Sequence, residues 1–183
     1  MIDLMRIVVA GTVGAGKTTF VRTVSEIDVV DTERKPTDLT ADVKDSTTVG
    51  MDFGKVTLNP EMVLHIYGTP GQIRFDFMWE LLISKAHAYI LLVAAHRPEE
   101  FATVRQMLWF LQNQVQIPLI LGVTHTDCEA AWSVQDVGYA MGLAEGEQLL
   151  PIVAVNANVR KSVINALIVL VEHYMAQTQT TLS

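Results

Sequence analysis

The strongest chemical signal in the chain is the run Gly11-Thr12-Val13-Gly14-Ala15-Gly16-Lys17-Thr18. It fills the pattern G-x-x-x-x-G-K-[ST] at every fixed position. Glycines at these points let successive backbone N–H groups converge on one anion. A helix that starts at Lys17 adds the partial positive charge of its N-terminus. An ammonium at 17 then reaches the β- and γ-phosphates of a nucleoside triphosphate, and a hydroxyl at 18 ligates the accompanying Mg²⁺. The motif implies triphosphate binding by Val13, Gly14, Ala15, Gly16, Lys17, Thr18 and Thr19 and leaves the base open.

Such a cradle works only between a buried strand and a helix, and the flanking sequence supplies both. Met5 to Ala10 reads as a buried strand and Lys17 to Ser25 as a helix. Val49–Leu58 and Met62–Tyr67 flank the turn signal Asn59-Pro60-Glu61 and read as an antiparallel hairpin. A helix is predicted over Ile73–Lys85 and strands over Ala88–Ala95, Leu119–Val123 and Ile152–Val155. Pro98-Glu99-Glu100 opens a helix whose apolar positions Phe101, Val104, Leu108, Leu111 and Val115 share a face. A short helix over Val134–Met141 and a last one from Asn158 to about Ala176 complete the count of six strands and five helices. Alternation of this kind predicts an α/β fold with a six-stranded, mostly parallel sheet covered by helices on both faces.

Composition narrows the class further. At 183 residues the chain predicts one domain over 1–183. Half the residues are apolar and 18% charged, which excludes an intrinsically disordered chain. The net charge of −7 argues against a protein that neutralises nucleic-acid phosphates and against a basic membrane-surface patch. One cysteine, Cys128, allows no internal disulfide and fits a reducing cytoplasm. It reads as a packed thiol. The N-terminal residues lack the features of a signal peptide, and lipidation signals are absent at both ends, so no direct membrane anchor is expected.

Beyond the phosphate loop, the chain resembles the Ras-like small GTPases over nearly its whole length. Thr48-Val49-Gly50-Met51-Asp52-Phe53 is similar to the segment that ends the first switch in Rab-type members. Gly68-Thr69-Pro70-Gly71-Gln72 is similar to the second-switch motif Asp-x-x-Gly-Gln, Thr124-His125-Thr126-Asp127 to the base motif Asn-Lys-x-Asp, and Val155-Asn156-Ala157 to the last base motif. The Tyr67–Gln72 and Gly122–Asp127 forms resemble bacterial members: the MglA-type polarity and gliding proteins and the small ATP/GTP-binding proteins of actinobacterial conservon operons.

The resemblance implies a GTP/GDP switch with slow, Mg²⁺-dependent hydrolysis. Thr48 would bind Mg²⁺ together with Thr18, Gly71 would contact the γ-phosphate, and Gln72 would orient the attacking water beside Lys17. Asp127 would select guanine, His125 would stack on the base, and Asn156 and Ala157 would complete the pocket with Thr124. Regulatory or effector proteins, among them a Roadblock-type partner, are implied by the resemblance alone.

The sequence departs from the family pattern at several positions. Gly68 stands where the Asp that holds Mg²⁺ through a water belongs, so metal affinity falls or another carboxylate substitutes. Thr124 and His125 replace Asn and Lys. Val13 occupies a loop position where a small residue favours hydrolysis. Thr18 and Thr48 lie 48 − 18 = 30 positions apart, longer than in typical relatives. These departures keep two alternatives open: a pseudo-GTPase that acts as a nucleotide-stabilised interaction module, and a phosphate-loop ATPase. Phe75, Met78, Trp79 and Leu82 read as core, and Phe77 and Leu81 as an effector surface. Arg34 and Arg74 are the cationic side chains considered for transition-state support, each more simply a solvated charge. The histidines other than His125 read as structural or solvated.

Overall fold

The computed structural model describes residues 3–31, 51–70, 85–115, 117–143 and 150–181. Its strands are β1 (Asp3–Gly11), β2 (Val30–Asp31), β3 (Asp52–Asn59), β4 (Met62–Gly68), β5 (Ala88–Ala94), β6 (Leu119–Thr124) and β7 (Ile152–Val155). Its helices are α1 (Lys17–Val24), α2 (Phe101–Phe110), α3 (Val134–Ala140) and α4 (Arg160–Thr181). The predicted helix over 73–84 lies outside the described residues.

The strands form one sheet in the order β2-β3-β4-β1-β5-β6-β7. Pairing is parallel from β4 through β1, β5 and β6 to β7, and antiparallel between β2, β3 and β4. All six expected strands are present, with the hairpin as predicted. The seventh, β2, is a two-residue edge pairing with no counterpart among the predicted strands, where Val30 and Asp31 pair with Phe53 and Asp52. A pairing that short carries no periodicity to read.

Alternate residues of the central strands enter different cores. Ile7, Val9, Ile90, Leu92 and Ile120 pack with Phe20, Val21 and Val24 of α1 and Val163, Leu167 and Leu170 of α4. Val8, Ala10, Leu91, Val93 and Leu121 pack on the other face with Phe101, Val104 and Leu108 of α2 and Val137 of α3. Burial on both faces explains why these strands read as unbroken apolar runs. The helix opened by Pro98 is finer-grained than its periodicity predicts: a 3₁₀ turn at Pro98–Glu100, α2, then a π turn over Leu111–Val115. Phe101, Val104, Leu108 and Leu111 are nonetheless all buried.

The order of strands reverses direction at β1, because α1 leads back toward β3 and β4 while β5 to β7 extend the other way. The crevice beyond the C-terminal end of such a strand is where open α/β sheets bind ligands. Gly11 ends β1 at that point.

Candidate nucleotide site

The loop from Gly11 to Gly16 joins the end of β1 to the start of α1. Gly14 and Gly16 have φ of +78° and +97°, a region that side-chain-bearing residues rarely adopt. Gly16 is the N-cap of α1. A Cβ at Gly16 would lie 3.5 Å from the Ala157 Cβ, 3.9 Å from the His125 Cε1 and 4.0 Å from the Thr124 Cγ2. Two segments far apart in sequence, 124–125 and 157, therefore converge on the helix start.

Lys17 is buried, and its ammonium donates to the carbonyl oxygens of Gly11 at 2.8 Å and Thr12 at 2.6 Å. Burial lowers its pKa from 10.5 to about 8, against the opposing attraction of Asp52 and Glu100. An anion at the loop would restore the ordinary preference for the charged form. Thr19 is half-buried, and Val13 is 58% exposed.

Thr18 follows on α1, and its hydroxyl donates to Asp52 Oδ2 at 2.5 Å. Asp52 is buried, and the antiparallel register sets it opposite Gly68. The hydroxyl and carboxylate oxygens are hard donors of the kind that Mg²⁺ prefers. Among the described residues no group of three His, Cys, Asp or Glu gathers in a way that would hold a metal.

Thr124 ends β6, and its side chain is turned toward the phosphate loop. The hydroxyl donates to the Ala15 carbonyl at 2.9 Å, with the Val93 carbonyl at 3.3 Å as a second acceptor. The hydroxyl oxygen also lies 3.0 Å from His125 Nδ1. His125 has φ of +57°, the one positive φ outside glycine among the described residues. Backbone of this kind costs roughly 1–3 kcal/mol and persists where the surroundings enforce it. Its ring lies 4.6 Å from that of His96. Burial, His96 and Arg97 hold His125 below the ordinary imidazole pKa, while Asp127 opposes them. Asp127 is exposed at the same turn.

After β7, the Asn156 side chain accepts from the Asn158 N–H at 3.1 Å, and the Asn156 N–H donates to Ser162 Oγ at 2.9 Å. Thr23 of α1 donates to the Ala157 carbonyl at 2.6 Å. This bond ties Ala157 to the last turn of α1.

Two side chains that sequence reasoning missed hold the outer side of the phosphate loop. Arg97 Nη1 donates to the Val13 carbonyl at 3.0 Å and pairs with Glu100 Oε1 at 3.4 Å. Glu100 Oε2 accepts from the Thr12 hydroxyl at 2.5 Å. The guanidinium fills the space over Gly14, where a Cβ would come within 2.8 Å of it. Arg97-Pro98-Glu99-Glu100 reads in sequence only as a helix start, because its partner loop is 84 residues away along the chain.

The structure thus brings Val13 to Thr19, Thr124, His125, Asp127, Asn156 and Ala157 to one end of the sheet. Thr48, Gly71 and Gln72 lie outside the described residues, as do Arg34, Arg74, Phe75, Phe77, Met78, Trp79, Leu81 and Leu82. One expectation is corrected. Cys128 is exposed rather than packed, because it sits in the turn that leaves β6. His96, read as structural or solvated, lies with its ring 4.6 Å from that of His125.

This architecture and loop define a nucleotide-binding protein with the small-GTPase fold. The chain belongs to the family described as "Conserved hypothetical ATP binding protein", which matches residues 9–182. It is similar to the Ras-related protein Rab-44 of Homo sapiens, at 31% identity over 155 residues that cover 79% of this chain and 14% of that protein. It is also similar to the uncharacterized protein MJ1339 of Methanocaldococcus jannaschii, at 30% identity over 95 residues, 52% of this chain and 54% of that one. The chain therefore spans about half or less of the length of these curated relatives. A solved structure of the Arl6 BBS3 small GTPase from Trypanosoma brucei, with the nucleotide analogue GppNp bound, shares the fold with a TM-score of 0.71 at 16% identity. The match covers 96% of this chain and 99% of that one.

Proposed function

We propose that the chain is a GTP/GDP switch of the Ras-like kind, a single domain over 1–183, with slow Mg²⁺-dependent GTP hydrolysis. The observation that carries this reading is the convergence of Thr124, His125 and Ala157 on Gly16. It sets segments suited to a base beside a loop suited to phosphates. The backbone N–H groups from Val13 to Thr19 hold the phosphates, and Lys17 leaves the Gly11 and Thr12 carbonyls for the β- and γ-oxygens. Asp127 accepts from the guanine N1–H and 2-amino groups, and His125 lies along the base. Thr124 acts through the Ala15 carbonyl, holding the loop, while Asn156 orders the turn that presents Ala157.

Gly71 would contact the γ-phosphate and Gln72 orient the attacking water, so loss of the γ-phosphate releases both switch segments. Mg²⁺ held by Thr18 and Thr48 would neutralise charge between the β- and γ-oxygens when bound. By resemblance, the GTP form is read by a regulatory or effector protein, a Roadblock-type partner among them. That gives the chain a part in polarity, motility or signalling in the bacterial cytoplasm, as in the MglA-type and conservon groups.

The family description names ATP, which favours a second reading as an ATP-binding protein on the same loop. Calorimetry of nucleotide-stripped protein with GDP, a non-hydrolysable GTP analogue and the matching ATP analogue, with and without Mg²⁺, separates the two. Tight Mg²⁺-dependent binding of both guanine nucleotides with weak ATP binding supports the switch. Comparable ATP binding removes the guanine assignment. Turnover that is unaltered by Gln72→Leu, measured with and without partners, would favour the non-hydrolysing module.

A further inference from the structure

Position 68 has no side chain, yet a carboxylate stands in the space beside it. Asp52 and Gly68 are directly opposed in the antiparallel β3–β4 pair. Opposed residues of such a pair point to the same face with Cβ atoms roughly 5 Å apart. That face is the one toward α1, since a Cβ at Gly68 would lie 3.5 Å from Val21 Cγ2. The same Cβ would come within 3.1 Å of Asp52 Cβ and 3.2 Å of Asp52 Oδ2. The two positions therefore crowd each other: a side chain at 68 would make the Asp52 carboxylate give by a few tenths of an ångström.

In that place the carboxylate meets Thr18. Asp52 is only 8% exposed, and its Oδ2 accepts the Thr18 hydroxyl proton at 2.5 Å. A hydroxyl has one proton and two lone pairs. With its proton held by Asp52, the Thr18 oxygen presents lone pairs to whatever lies beside the phosphate loop. The positive Lys17 is near enough for Asp52 to act on its protonation. A negative group buried here needs such partners.

We propose that Asp52 supplies the carboxylate that supports a nucleotide-bound divalent cation at Thr18, moved across the strand pair from position 68 to position 52. The inference rests on the triphosphate-binding reading, because the nucleotide's phosphates complete the cation's ligands. Asp52 is a positioning residue: it orients the Thr18 hydroxyl and holds a water of the cation. Outer carboxylates of this kind are worth about 10–100-fold in metal affinity.

The test is a Mn²⁺ titration, read by electron paramagnetic resonance, of full-length protein loaded in EDTA with GDP and separately with ADP, then freed of chelator. Asp52→Asn keeps the shape and should weaken Mn²⁺ binding about 10–100-fold. Gly68→Ala, which crowds the carboxylate without removing it, should weaken Mn²⁺ in the same direction and stands as the test if the Asn variant does not fold. The paired change Asp52→Gly with Gly68→Asp returns the carboxylate to the other strand and should recover most of the affinity. Unchanged Mn²⁺ affinity in Asp52→Asn or, failing that, Gly68→Ala overturns the proposal and leaves Asp52 as a structural partner of Thr18. If the wild-type chain binds neither GDP nor ADP with Mg²⁺ present, the nucleotide reading itself fails, and the cation site with it.

Discussion

The Thr124 hydroxyl donates to the carbonyl oxygen of Ala15 at 2.9 Å, a buried bond between the end of β6 and the middle of the phosphate loop. It ties the end of β6 to the loop between β1 and α1. Thr124→Val keeps the shape and removes the donor, leaving the Ala15 carbonyl buried and unpaired. A loss of about 1–3 kcal/mol of unfolding free energy is expected, read from urea denaturation. A change below a few tenths would mean that water or a shifted loop satisfies Ala15.

Lys17 gives a proton-linkage prediction. In the free protein its pKa is about 8, lowered chiefly by burial. Phosphate at the loop raises it, so at about pH 8.5 triphosphate binding takes up roughly three quarters of a proton, against almost none near pH 6.5. Calorimetry in buffers of different ionisation enthalpy measures this directly. Uptake that does not vary with pH would remove Lys17 from the phosphates. Stability has the matching sign: between about 8 and 10.5 the unfolded chain holds more protons, so the free protein gains stability as pH rises through that window.

His65, His87, His125 and His173 all titrate below their ordinary 6.5, with burial the largest cause for each. The unfolded chain then binds more protons just below that value, and the folded protein loses stability as pH falls through it. Glu26 is held below its ordinary 4.5 by hydrogen bonds from the Thr57 N–H and hydroxyl, so its effect lies at lower pH. At His125 the facing groups are His96, Arg97 and Asp127. Urea midpoints between about pH 7.5 and about pH 5 should fall, and His125→Gln should make that fall shallower. An equally steep profile would show that His125 is as well solvated folded as unfolded.

The Arg97 and Glu100 side chains are 37% and 27% exposed, so their ion pair itself adds less than about 1 kcal/mol to stability. The positive charge over Gly14 matters more to an anion. Across ~10 Å at an effective dielectric near 20 it is worth ~1.7 kcal/mol. Arg97→Ala should therefore weaken triphosphate binding about tenfold, more at low salt, with little change in melting temperature. A variant that melts early but binds normally would make Arg97 a brace for the Val13 carbonyl and nothing more.

The sequence by itself determined the phosphate loop and the six principal strands. A glycine pattern at fixed spacing, unbroken apolar runs in strands such as β5 and β6 that are buried on both faces, and a turn signal between β3 and β4 are all local signals. The edge pair Val30–Asp31 was too short to leave such a signal. Tertiary structure decided what the loop meets. Thr124 looked like a weak match to a base-binding residue, and the fold turns its hydroxyl to Ala15. Gly68 looked like a missing carboxylate, and the register sets Asp52 across from it. Arg97 and Glu100 carried no mark in the sequence, because their partners Val13 and Thr12 are separated from them by most of the loop-to-β5 half of the chain. Contacts of this range follow from strand order and register, which fix positions in space that spacing along a chain does not encode.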